Sequence, residues 1–72
     1  MKTFGETLAQ AMKNSGVKQN ELSERSGVYQ SYISRLLNGK LLDPTFTKAV
    51  ALIHALGMTT DEFAALQEED HE

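Results

Sequence analysis

Seventy-two residues with 40% hydrophobic content, no cysteine and a formal charge of −3 describe one small domain and exclude a disulfide framework or a thiolate metal site. A core of this size leaves a margin of roughly 3–5 kcal/mol, so that pairing with a second copy is a natural source of stability. The N-terminal MKTFGETLAQAMKNSG holds no long apolar run, which predicts neither a signal peptide nor a membrane span and places the chain in the cytoplasm.

The periodicity predicts an all-α chain of five helices. Thr3 and Glu6 have the spacing of a capping box, in which the hydroxyl accepts from the third amide and the carboxylate reaches back, so helix 1 is expected to begin near Phe4. Phe4, Leu8, Ala11 and Met12, with Val17 just beyond, form an apolar stripe at helical spacing, and Asn14-Ser15-Gly16 supplies the stop. Helix 2 is expected over Gln19 to Arg25, with Leu22 inward. A helix that short is stable only when its neighbours hold it. Gly27 stands where a left-handed turn would bend the chain into the next helix, which makes the pair a helix-turn-helix.

Helix 3 is predicted from Gln30 to Asn38. At about 100° per residue, Gln30, Ser34, Asn38, Ser31 and Arg35 share an arc of about 140°, with Ile33, Leu36 and Leu37 opposite. One face can therefore exchange hydrogen bonds while the other is buried. Pro44 and Thr45 read as a turn and a helix start, and Phe46, Ala49, Val50, Ile53 and Leu56 follow the i, i+3, i+4, i+7 rule of a core-facing helix 4. Gly57 ends it, and Thr59 with Glu62 repeats the capping-box spacing to open helix 5, whose Phe63 and Leu66 face inward. His54 reads as a partly exposed residue near a helix C-terminus, not as a metal ligand. The expected domain is 1–66, followed by a solvated acidic tail over 67–72.

The order Gln19, Glu21-Leu22-Ser23, Gly27-Val28, Ile33-Ser34-Arg35-Leu36, Asn38-Gly39-Lys40, Pro44, Ala55-Leu56-Gly57 and Thr59-Thr60-Asp61-Glu62 resembles the Cro/cI-type (XRE-like) helix-turn-helix family. That family includes the lambdoid phage repressors, and the resemblance covers about Phe4 to Leu66. It implies a compact, lambda-repressor-like domain in a bacterial or phage-encoded regulator of transcription, with helix 3 in the major groove of duplex DNA. By position, Gln30, Ser31 and Arg35 match base-reading residues, with Ser34 between them. Glutamine pairs with adenine and arginine with guanine, which gives these residue types a reason to be there. Gln19 matches a phosphate-holding position at a helix N-terminus. Asn38, Gly39 and Lys40 match the turn that follows the sugar-phosphate backbone, although Gly39 has a structural alternative as a left-handed C-cap. Tyr32, Thr45, Thr47 and Lys48 are further phosphate candidates, and the resemblance implies a homodimer through the helix 5 region on a palindromic operator.

Several positions depart from the family pattern. Lys18 and Tyr29 stand where helices 2 and 3 usually have capping side chains, and neither is a good cap. Burial of the Tyr29 ring is the favoured reading, with phosphate or thymine-methyl contact as the other. Leu37, Leu41 and Leu42 replace polar or basic residues, and Asp43 places a negative charge near the expected phosphate track. The leucines read either as extra packing or, if Leu41 and Leu42 are exposed, as a contact strip for another protein. Overall charge has the wrong sign for a partner of a polyanion. Yet Glu68, Glu69, Asp70 and Glu72 lie in the last five positions, so Met1 to Leu66 carries seven basic against six acidic groups.

No catalytic constellation, glycine-rich nucleophile turn, nucleotide-binding pattern or cofactor motif is present in the sequence. The expectation is a sequence-specific DNA-binding regulator, in the main a repressor. The competing reading is an antitoxin-like or adaptor module that uses the same fold to hold a protein.

Overall fold

Thr3 and Thr59 start the first and last helices in the same way. In the computed structural model, which describes residues 1–69, the Thr3 hydroxyl accepts from the Glu6 amide at 3.1 Å and the Glu6 carboxylate accepts from the Thr3 amide at 2.9 Å. Thr59 and Glu62 repeat the arrangement at 3.1 and 2.8 Å. Each box satisfies amides that have no partner inside the helix. The described residues form α1 (Phe4–Ser15), α2 (Gln19–Ser26), α3 (Gln30–Leu37), α4 (Phe46–Ala55) and α5 (Thr60–Glu68), with no strand among them. No single one of these helices is long and apolar enough to cross a membrane.

The expected stripes meet in one core. Leu8, Leu22, Ile33 and Leu52 are completely buried, and Phe4, Ala11, Met12, Val28, Leu36, Ile53, Leu56 and Phe63 pack around them. Helix α3 lies against both α1 and α2, while α2 also packs on α4 and α5 joins α1 to α4. This bracing holds α3, whose eight residues are too few for a stable isolated helix.

Contact between α1 and α3 depends on Gly5. A Cβ built there would lie 2.0 Å from the Leu36 carbonyl oxygen, so only a residue without a side chain lets the two backbones approach this closely. The ends of the domain are joined nearby. Phe4 and Phe63 have ring centroids 4.9 Å apart, the Lys2 amide donates to the Gln67 carbonyl at 3.1 Å, and the Gln67 side-chain amide donates to the Lys2 carbonyl at 3.1 Å. Helix α5 thus continues past Leu66 to Glu68. Asp70, His71 and Glu72, the end of the expected acidic tail, lie outside the described residues.

Two aromatic expectations are corrected. Tyr29 is 82% exposed rather than buried. It is the N-cap of α3, with φ −58° and ψ 140°, so its backbone is not helical and the wheel that turned its ring inward does not apply. Phe46, expected in the α4 core stripe, is also 82% exposed. It is the first residue of α4, and helical side chains lean toward the N-terminus, so its ring projects beyond the helix end. The buried stripe of α4 is centred on Leu52, Ile53 and Leu56, with Ala49 and Val50 half-buried. The three leucines divide between the two readings. Leu37 and Leu41 pack against the core, whereas Leu42 is 65% exposed.

Candidate nucleic-acid interface

Serines hold the turn that joins α2 to α3. The Ser23 hydroxyl donates to the Val28 carbonyl at 2.6 Å, and the Ser26 hydroxyl accepts from the Val28 amide at 3.1 Å. Gly27 between them is left-handed, with φ 76°, and Val28 is buried. Both polar groups of Val28 are therefore satisfied in a segment too tight for helical bonding. This fixes the direction in which α3 leaves the turn.

With its inner side set by Ile33 and Leu36, both almost fully buried, α3 presents the predicted polar face outward. Gln30, Ser31, Arg35 and Asn38 are exposed, and Ser34 is half-buried. The Asn38 side-chain amide donates to the Ser34 hydroxyl at 3.3 Å, which leaves that hydroxyl's own proton available. The four residues expected to read bases thus lie on one side of one helix, with Gln30, Ser31 and Arg35 exposed and Ser34 partly covered.

The residues expected to meet the backbone flank this face. Helix α3 ends at Leu37, with Asn38 as its C-cap. Gly39 then turns left-handed at φ 76°, and the Lys40 and Leu41 amides donate to the Arg35 carbonyl at 2.9 and 3.2 Å. Gly39 therefore has the structural role, closing α3, and the same turn carries the exposed Lys40. Tyr32 reaches across to α4. Its hydroxyl accepts from the Thr45 amide at 3.2 Å, and the Lys48 ammonium lies 5.3 Å from its ring centroid. Gln19 is half-buried as the first residue of α2.

Helix starts differ between the two sides of the domain. Helices α1 and α5 have complete capping boxes, whereas α2, α3 and α4 begin without any hydrogen bond to a capping side chain. Lys18 cannot accept one, so only the return bond from its amide to the Glu21 carboxylate, at 3.1 Å, forms at α2. Thr45 occupies the N-cap of α4 as expected, yet its hydroxyl does not cap. Helices α3 and α4 thus start with neither a side-chain cap nor an acidic residue in the first turn, which leaves their dipole-positive ends uncompensated, while α2 carries Glu21 in its first turn.

A helix-turn-helix family model matches residues 8–63, which includes all of α2, α3 and α4. The chain belongs to the Cro/cI-type helix-turn-helix family. This Cro/cI-type domain is 39% identical over 51 residues to the HTH-type transcriptional regulators for conjugative element R391 of Providencia rettgeri and for conjugative element SXT of Vibrio cholerae. The same identity holds for the regulator for conjugative element pMERPH of Shewanella putrefaciens. Each alignment covers 71% of this chain and 24% of the relative, so the chain spans about a quarter of the length of these curated relatives. No solved structure matches it.

Sequence reasoning missed three features of the Cro/cI-type domain's site. The close approach at Gly5 has one visible signal, a glycine inside the first turn of an otherwise good helix. The Tyr32 to Thr45 bond spans thirteen positions and leaves no local pattern. Exposure of Tyr29 follows from its non-helical cap backbone, which a helical wheel does not describe.

Proposed function

We propose that this Cro/cI-type domain binds duplex DNA sequence-specifically and regulates transcription, repressing by occlusion of a promoter. The open polar face of α3, set against an opposite face buried at Ile33 and Leu36, carries the reading. Helix α3 enters the major groove with Gln30, Ser31, Ser34 and Arg35 toward the base edges. Gln19, Asn38, Gly39, Lys40, Thr45 and Lys48 fix its register on the phosphates, which position a protein without reading sequence, and Tyr32 supports Thr45 and Lys48 from α3. One copy makes few base contacts, so the working form is a two-fold homodimer through the α5 region on a palindromic operator in the cytoplasm. No cofactor is assigned to this reading.

The protein-adaptor reading has less support. Its apolar strip needed Leu41 and Leu42 side by side in solvent, but Leu41 packs on the core and a single exposed leucine is ordinary on a protein surface. Selection of bound sequences from a random duplex pool, followed by titration across a salt series, tests the proposal. A palindromic consensus and a steep fall of affinity with salt are expected. No binding at low salt would overturn it.

A further inference from the structure

The loop between α3 and α4 is tied to α3 at both ends, and the distal tie is a side chain outside the expected base-reading set. At the near end, the Lys40 and Leu41 amides bond to the Arg35 carbonyl. At the far end, the Thr45 amide bonds to the Tyr32 hydroxyl at 3.2 Å. Tyr32 also lies beneath the Lys48 ammonium, 5.3 Å from ring centroid to nitrogen, within the range of a cation–π contact. Its ring is half-buried against the core, so it is a fixed platform, whereas Lys48 is exposed on a long flexible stem. A phenolic oxygen that accepts one hydrogen bond still has its own proton to donate.

Resting on the DNA-binding reading above, we propose that Tyr32 is a positioning residue that holds the start of α4 and the Lys48 ammonium in register with the base-reading face of α3. On this account Lys48 delivers its charge to a backbone phosphate only when the Tyr32 ring orients it. Base reading and the phosphate contact from α4 are then mechanically linked through one side chain. A tyrosine that served only as core packing would affect stability and leave the number of phosphates engaged unchanged.

The test is a double-mutant cycle of Y32L and K48A, read as the slope of log affinity for random-sequence duplex against log salt. Loss of one phosphate contact lowers that slope by about one. K48A should lower it by that amount, Y32L should lower it equally, and the double variant should lower it no further. A full wild-type slope in Y32L, or additive losses in the double variant, would overturn the linkage while leaving the DNA reading intact. Absence of wild-type binding at low salt would instead overturn the DNA reading, and this inference with it. Two measurements on the free protein remain should Y32L fail to fold. The Lys48 ε-methylene proton resonances should be shifted upfield by the ring in the wild type, and the Thr45 amide should exchange faster with solvent in Y32F. Unshifted methylene resonances, or unchanged Thr45 exchange in Y32F, would also overturn the proposal.

Discussion

Arg35 is exposed on α3, and its guanidinium offers paired donors in a geometry that matches the O6 and N7 acceptors of guanine. Arg35→Ala should cost about 1–3 kcal/mol on a selected operator and relax preference at one base position, read by competition binding against single-base variants. An equal loss on every duplex would reassign Arg35 to a phosphate. Gly5 makes the opposite kind of demand, because a methyl there meets the rigid Leu36 carbonyl at 2.0 Å. Gly5→Ala should therefore destabilise the domain by about 3 kcal/mol or more through overpacking, seen as a lower urea midpoint. Unchanged stability would mean that α1 and α3 separate without cost. The face around Arg35 was legible in sequence because a single helix gives every residue on it a fixed angular position. Tyr29 and Phe46 were not, since each lies at a helix end. There the 100° rule either does not apply, as at the extended Tyr29 backbone, or points a side chain beyond the neighbouring packing, as at Phe46.

At the level of elements, caps and turns were the most readable features, because their chemistry is local. Thr3 with Glu6 and Thr59 with Glu62 are three residues apart in sequence and form the expected bonds. Thr45 has the same residue type and the same N-cap position, but its hydroxyl makes no cap bond; its backbone amide is instead held by Tyr32, a partner that no local pattern reveals. The contrast gives a paired prediction. Thr59→Ala should lower stability by about 1 kcal/mol, while Thr45→Ala should change it by less than about 0.5 kcal/mol. Both are measurable by chemical denaturation, and equal losses would show that the Thr45 hydroxyl does cap α4 in solution. Sequence also assigned Phe46 to the α4 stripe and omitted Leu52, which is fully buried. Ala49, Leu52, Ile53 and Leu56 keep the same helical spacing, so the period was right and only the angle of the buried side was displaced. Periodicity says that a helix has an inside; the contacts of α4 with α2 and α5 decide where that inside lies.

For the whole molecule, charge and size together limit how specificity can arise. Met1 to Leu66 is nearly neutral, with seven basic and six acidic groups, so under the proposed function long-range attraction to DNA would be weak and binding would depend on local contacts beside α3. On the proposed DNA reading, a domain with a Cα radius of gyration of 11.0 Å would present one short helix to one stretch of groove, and four reading side chains would specify only a few base pairs. Two copies related by a two-fold axis double the site without a new kind of contact, provided that their reading helices are about 34 Å apart, one turn of duplex. The exposed side of α5 includes Ala64 and Ala65, small residues that would let two such helices approach in the proposed homodimer. Capped at Thr59 and bent 94° from α4, this helix is firmly placed relative to the core. Inserting about five base pairs between half-sites would turn the second half-site to the opposite side of the duplex. Cooperative binding should then disappear while affinity for one half-site persists, and Ala65→Arg should have the same effect on an intact operator by driving the two α5 surfaces apart. Anisotropy titrations on the two duplexes measure both. If the inserted spacing binds as steeply as the original, each copy reads alone and specificity comes from the four α3 side chains without a second domain.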